Sequence, residues 1–303
     1  MGRLEELRVN AYLSKIARGY KNSTLIAENL FPVIESELEK IDIFEFNKEA
    51  FQIYETERAI RANSNVISPK GFNKKSATLT EHDLVYQLDY REIAESQVVK
   101  LEIHAANTVT EGLKLKHEKQ CADLVQNPDS FDAGNKIILS GTSLFSHKDS
   151  DPEGVIDDAK SAISSKIARD PNTMVLGEDA FKDLRKHPKL RELISTSKTR
   201  IISLELLKEI FEIENIIVGR ALFVNDEETS TKIWKNNIIL AYVPKLDSRT
   251  EYDPSFAYTV RKKDSLYIDE YTKEGNKLRN IRATDIYTPF IVGPDAGYLI
   301  KNE

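Results

Sequence analysis

Hydrophobic and polar positions follow two rhythms along this chain, and the change falls near residue 90. Leu84, Tyr86, Leu88 and Tyr90 alternate with Val85, Gln87 and Asp89, the period-2 pattern of a half-buried strand. Upstream, IYETERAIRA (53–62) is rich in β-branched and aromatic residues, and Ser68-Pro69-Lys70-Gly71 is a turn signal. Together they predict a long hairpin over 51–90. From 91 to 126 no proline intervenes, and Ala94, Val98, Leu101, Ala105, Val109, Leu113, Cys121 and Leu124 recur close to helical spacing. At about 1.5 Å per residue the predicted helix is on the order of 50 Å long, with Gly112 costing roughly 1 kcal/mol against alanine. Asn127-Pro128 ends it, and its length suits a strut.

The flanking regions are read the same way. In 1–50, helical spacing holds at Leu4-Leu7 and Leu13-Ile16, and Pro32 biases Leu30-Phe31-Pro32-Val33 toward extended backbone. So little concentrated apolar content predicts an opening arm that packs along other surfaces rather than forming its own core. After 149 the elements alternate. Ser150-Asp151-Pro152-Glu153 starts a helix through VIDDAKSAISSKIA (155–168), with Asp151 placed to cap free amides and Pro152 suited to the first turn. Strands are expected at Met174–Leu176, Ile216–Val218, Ile238–Val243, Phe256–Val260, Ser265–Asp269 and Ile281–Tyr287. Helices are expected at Glu178–His187 and near Leu204–Phe211, and a hairpin turn at Lys273–Asn276.

Composition narrows the function. The 303 residues are 40% hydrophobic and 30% charged, with 43 basic and 49 acidic side chains and a net charge of −6. That argues against a protein that coats nucleic acid with its whole surface. It is compatible with a container whose wall mildly repels an enclosed nucleic acid. The single cysteine, Cys121, leaves no internal disulfide, CxxC motif, zinc knuckle or iron–sulfur site. It reads as a small buried hydrophobe, and a reducing interior is the expected place of synthesis. No run of eighteen apolar residues predicts a membrane span. MGRLEELRVNAYLSK has no apolar core of a secretory signal, and Glu6 breaks the myristoylation pattern.

Candidate chemistry is sparse. Met174-Val175-Leu176-Gly177 followed by a helix is how many phosphate sites begin, but the further glycines of a dinucleotide or P-loop motif are missing. Glu178-Asp179 at the helix start would repel a phosphate. The reading is structural: Gly177 makes a tight turn and the two acids stabilise the helix. Asp149, Asp151, Glu153, Gly154 and Asp157 follow the calcium-loop order, but Lys160 stands where a bidentate carboxylate is needed, so a capped helix is preferred. His82, His104, His117, His147 and His187 form no i,i+4 pair, and no GxSxG elbow occurs. No catalytic, cofactor-binding or metal-binding residue is nominated. The hairpin tip is basic, with Arg58, Arg61, Lys70, Lys74 and Lys75 and no acid between Arg58 and Glu81. Composition leaves two readings open, a solvated loop and a loop that reaches an acidic neighbour.

Five segments, taken in order, carry a resemblance: SDPEGVIDDAKSAI (150–163), DPNTMVLGEDAFKDLRKHPKLRELI (170–194), SLELLKEIFEIENIIVGRALF (203–223), KIWKNNIILAYVP (232–244) and DPSFAYTV (253–260). With them the chain resembles the major capsid proteins of tailed bacteriophages, whose shell fold is shared with encapsulins and the herpesvirus capsid floor. The resemblance implies an α+β phage major-capsid fold. Its parts would be an N-terminal arm (1–50), an extended β-hairpin loop (51–90), a peripheral domain with a long spine helix (91–149), an axial domain (150–280) and C-terminal strands returning to the peripheral domain (281–303). It implies self-assembly through pentamers and hexamers into an icosahedral head of a tailed phage or prophage, assembled in the host cytoplasm and located in the virion. The shell would enclose double-stranded DNA without sequence-specific binding, with scaffolding, portal and decoration proteins as partners, and with no membrane, cofactor or enzymatic activity. Arg58, Arg61, Lys70, Lys74 and Lys75 are then candidate inter-subunit contacts. Some relatives carry a scaffolding segment before the arm; this chain begins almost directly with the arm, so scaffolding is expected from a separate protein or from a segment beyond the quoted chain. Some relatives crosslink lysine to asparagine between subunits; ordinary salt bridges are expected here. An encapsulin-like nanocompartment shell and a monomeric α/β enzyme are the alternatives.

Overall fold

The computed structural model describes residues 9–19, 22–44, 53–66, 74–95, 98–193, 202–225, 228–245 and 255–302. The chain opens with α1 (Ala11–Gly19), β1 (Val33–Ser36) and β2 (Lys40–Phe44), then β3 (Lys74–Thr78), β4 (Thr80–Asp89), α2 (Tyr90–Glu95) and α3 (Val98–Gln126). β5 (Lys136–Leu139), α4 (Pro152–Ile167), β6 (Thr173–Gly177), α5 (Glu178–Lys186), α6 (Pro188–Leu193) and α7 (Leu204–Phe211) follow. The remainder is β7 (Asn215–Gly219), β8 (Leu222–Val224), β9 (Ser230–Lys232), β10 (Asn237–Ala241), β11 (Ala257–Lys262), β12 (Tyr267–Lys273), β13 (Leu278–Ile291) and β14 (Gly297–Asn302). The class is α+β, as expected.

Two five-stranded sheets organise these elements. In the first, β13 pairs antiparallel with β4 over 278–287, with β12 over 278–284 and with β11 over 287–291, and β1 adds parallel to β11. The β12–β13 turn runs through Glu274, Gly275 and Asn276 at φ of 51°, 62° and 71°, a left-handed stretch that suits Gly and Asn. The second sheet has the order β5-β14-β10-β6-β7, with β10 antiparallel to both neighbours and parallel strands at the two edges. The chain crosses between the sheets repeatedly. Residues 257–273, grouped by sequence with 150–280, are hydrogen-bonded into the first sheet. β5, grouped with 91–149, and β14, grouped with 281–303, lie in the second. Alternation along a strand marks it as a strand but does not name its partner.

The larger core surrounds the second sheet. Every residue of β6 and β10 is buried, the near-continuous apolar run of a sheet covered on both faces. α4 supplies Ile156, Ala159, Ile163 and Ile167 at helical spacing, and α5 and α7 add Phe181, Leu184, Leu207 and Phe211. The smaller core joins Leu13, Ala17, Leu88, Ala105, Ala106, Val109, Leu113, Ile268, Ile281 and Ala283. α3 belongs to both, with Ala105–Leu113 in the small core and Cys121–Val125 in the large one. Its 29 residues span about 43 Å, so one rigid helix fixes the two sheets to each other. Gly112 is less a weak point than a point of close approach: a Cβ there would stand 2.7 Å from Leu84 Cδ1 on β4.

As expected, the described part of the opening segment forms no core of its own and packs along other surfaces: Ala17, Leu30 and Phe31 are fully buried, because α1 lies on β12 and α3 while Leu30 and Phe31 enter the large core. Three expectations change. The hairpin is rearranged. β2 pairs with β3 and brackets 45–73, β4 pairs with β13, and the described residues from 53 to 66 form no strand. Asp151 is the N-cap of α4, but its carboxylate makes no capping hydrogen bond. Gly177 has an ordinary φ of −61°; it is required because a Cβ would stand 2.0 Å from the Lys235 carbonyl oxygen.

Candidate assembly surfaces

Residues 53–66 fold onto themselves rather than onto a core. Asn65 Nδ2 donates to the carbonyls of Glu55 and Glu57 at 2.8 and 3.0 Å. Ala62 N donates to Ala59 O at 3.1 Å across a turn in which Arg61 takes a left-handed φ of 67°. The Arg58 guanidinium donates to Ala62 O at 2.6 Å. These bonds set the shape of the tip and leave its apolar side chains bare: Ile53 is 97% exposed, Ile60 94% and Val66 85%. A single exposed aliphatic is ordinary; three on 14 consecutive residues make the tip a candidate assembly surface. Burying each fully would contribute about 1.5–3 kcal/mol.

The five cations named from the sequence divide. Arg58 and Arg61 share the tip. Lys74 and Lys75 lie in β3 opposite Phe44 and Ile43, and Lys75 Nζ donates to Val292 O at 3.1 Å, which anchors it to its own chain. Lys70 lies outside the described residues. Sequence reasoning missed Ile53, Ile60 and Val66. The available signal was three aliphatic residues spread over a stretch that holds no steady period of 2 or 3.6.

Polar groups that resemble chemistry serve packing instead. Cys121 Sγ lies 3.4 Å from His117 Nε2, the pairing of a cysteine nucleophile and its base. Here burial pushes the Cys121 thiol well up and, helped by Arg261, His82 and Lys114, pushes His117 down to about 3. Both stay neutral, and both are buried. His117 Nε2 also meets Thr259 Oγ1 at 2.7 Å, and its ring stands edge-on to Tyr287, on which His82 stacks. Beside it, the buried Glu118 carboxylate accepts from Ile26 N at 3.0 Å, Ala27 N at 2.8 Å and Trp234 Nε1 at 2.7 Å. Burial raises its pKa, and those three donors oppose the rise. One carboxylate thus joins the opening segment, α3 and the turn before β10.

The strand–glycine–helix motif is likewise filled from within. Lys232 Nζ lies 2.9 Å from Glu178 and 2.5 Å from Asp179, and this contact lowers the pKa of both acids. Among the described residues no three His, Cys, Asp or Glu side chains are grouped to hold a metal ion, and no helix is long and apolar enough to cross a membrane.

Known proteins place this geometry in a family. The family model described as phage major capsid protein E matches residues 99–285, from the first turn of α3 into β13. The major capsid protein of Burkholderia phage BcepMu is 49% identical over 305 residues, covering 99% of each chain. Among solved structures, a phage-related protein from Bordetella bronchiseptica RB50 is 31% identical and superimposes with a TM-score of 0.82, covering 98% of this chain and 97% of that one. A virus-like particle from Pyrococcus furiosus, 15% identical, covers 95% of this chain and 96% of its own at a TM-score of 0.57, a likeness of fold alone. With its family model matched over more than half its length and its relatives matched end to end, the chain belongs to the phage major capsid protein family.

Proposed function

We propose that this major capsid protein closes its shell by lending residues 53–66 to a neighbouring copy. Its role as the subunit of an icosahedral phage head, located in the virion, follows from its family. The observation that carries the proposed mode is the near-complete exposure of Ile53, Ile60 and Val66 on a segment otherwise bonded to itself. Each copy donates the same tip and receives another, a heterologous contact that closes into rings when repeated by rotation. Modest interfaces then sum by multivalency, and Arg58 and Arg61 steer register more than they supply affinity.

In this reading, residues 1–50 are the arm and 51–90 the extended loop, with β1 and β4 rooting the arm and the loop in the first sheet. The first sheet with α3, the spine helix, forms the peripheral domain. The second sheet forms the axial domain around which pentamers and hexamers gather. The enclosed polymer is double-stranded DNA held without sequence-specific contact, which the net charge of −6 favours. Scaffolding, portal and decoration proteins complete the partner set. The test is the triple variant Ile53→Ser, Ile60→Ser, Val66→Ser, examined by negative-stain microscopy and sedimentation. Folded subunits without closed shells are expected; shells in normal yield would end the proposal.

A further inference from the structure

We propose that His117 is an acid-released catch between α3 and the first sheet, so that its protonation parts β11 and β13 from α3 while the second sheet stays in place. The catch is built around one tyrosine. Tyr287 of β13 takes the His82 ring of β4 against its face at a centroid distance of 4.4 Å, and the His117 ring of α3 edge-on at 5.0 Å. Tyr287 Oη donates to Gln120 Oε1 of α3 at 2.9 Å. His117 Nε2 meets Thr259 Oγ1 of β11 at 2.7 Å, so one buried ring of the helix holds two strands. Farther along α3, Ala122 and Val125 enter the large core, and Gln126 Nε2 donates to Ile233 O at 2.8 Å. The fastening to the first sheet turns on a base that gains charge in acid; this second fastening, by apolar and amide groups, does not.

Charge makes the first fastening conditional. The groups that act on His117 are Arg261 from β11, His82 from β4 and Lys114 from α3 itself, all of them cations or bases. Arg261 also stands 6.0 Å from the Tyr287 ring. The neighbouring acids are committed elsewhere. Asp285 lies 3.2 Å from Arg261 Nε and accepts from Ser265 Oγ at 2.8 Å. Glu118 accepts from Ile26, Ala27 and Trp234, and burial favours its neutral form, so acid does not weaken it as it weakens His117. Glu28 lines the same cavity as His117 but shares it with Lys114 and Arg261. His117 bonds to Thr259 and Cys121 and, among the described residues, to no carboxylate. An imidazolium there would be buried without a counter-ion. His82 differs: it is half-buried, with Asp285 beside it, Lys116 opposing, and the Tyr287 face ready to receive a cation. It accepts a proton in place and adds like charge next to His117. The closed joint holds His117 at about 3, whereas an open one protonates near 6.5. Each pH unit lost between these values therefore favours opening by up to about tenfold.

The single cysteine reports on the catch. Cys121 is fully buried, with Sγ 3.4 Å from His117 Nε2, and parting the strands from α3 uncovers it. Its modification by a dipyridyl disulfide, which reacts with thiols in mild acid, is measured on free subunits of the full chain and divided by the rate for the urea-unfolded chain at the same pH. From pH 6 to pH 4 this ratio is expected to rise about 50- to 100-fold. Amide protection of β6 and β10 is expected to stay within about twofold over the same range. A flat ratio would overturn the proposal, and so would a rise matched by an equal loss of protection in β6 and β10, which is unfolding of the whole subunit. His117→Gln keeps an amide within reach of Thr259 and does not titrate, so its ratio should be flat; a retained rise would remove His117 from the role. His82→Gln is expected to keep most of the rise, and a flat ratio in that variant would place the catch at His82 and overturn the assignment.

Discussion

β6 and the 53–66 tip are built from similar aliphatic side chains and meet opposite fates. Met174, Val175 and Leu176 lose all solvent contact between β7 and β10 under the surrounding helices, whereas Ile53, Ile60 and Val66 keep almost all of theirs. The driving force per area is the same in both places, about 25 cal/mol per Å². What differs is the origin of the covering surface. For β6 it comes from the same chain; for the tip, under the proposed function, it comes from another copy. Apolar content alone therefore does not locate a core.

The sharpest break between the two regions is Trp234→Ala. Trp234 is fully buried against Gly219 and donates to Glu118, so its loss is expected to cost the isolated subunit about 3–5 kcal/mol in denaturant unfolding. Serine at the three tip positions should shift the same unfolding free energy by no more than about 0.5 kcal/mol per site while abolishing shells. Next is Glu118→Ala, which leaves the Ile26 and Ala27 amides and the Trp234 indole without their acceptor. A loss of about 3 kcal/mol is expected, with amide exchange rising first in residues 22–30 rather than in β6 or β10.

The smallest effect is a pH dependence of the isolated subunit. Burial holds His117 at about 3, and His82 and His187 are also lowered by burial. An unfolded chain protonates its histidines near 6.5, so their neutral burial stabilises the fold fully above that pH. His117's share is lost as pH falls from about 6.5 toward 3, at up to about 1.4 kcal/mol per pH unit. Glu118 acts in the opposite sense. Its raised pKa means that the folded state takes up a proton more readily, so ionising it as pH climbs past the ordinary glutamate range costs stability. His117→Phe should flatten the acid limb of the unfolding free energy against pH, and an unchanged limb would contradict this account.

Local signals in the sequence were strong where one element decides its own structure. Pro152 at the start of α4, the apolar run of β6 with Glu178-Asp179 opening α5, and Gly275-Asn276 between β12 and β13 all form where expected. Partner choice was not legible. Leu84 to Tyr90 reads as a strand, yet nothing in it names β13 rather than 53–60 as its neighbour. β5 (KIIL) and β14 (GYLIKN) show no period-2 alternation, and they become strands by flanking one another in the second sheet. Gly177 was noticed, but the Lys235 backbone that demands it lies 58 positions away. At the tip, Arg58 and Arg61 were visible as charge, whereas the three aliphatic residues carrying the apolar surface were hidden by the absence of any period.

Limited trypsin digestion, read by mass for cleavage after Arg58 and Arg61, compares the two regions on one molecule. In free subunits, rapid cuts at these two sites are expected while 152–177, from α4 through β6, survives uncut at Lys160, Lys166 and Arg169. In closed shells the same cuts should slow by about 100-fold, because a neighbouring copy covers the tip. Equal cleavage rates at Arg58 and Arg61 in subunits and shells would contradict the claim that another copy completes this surface.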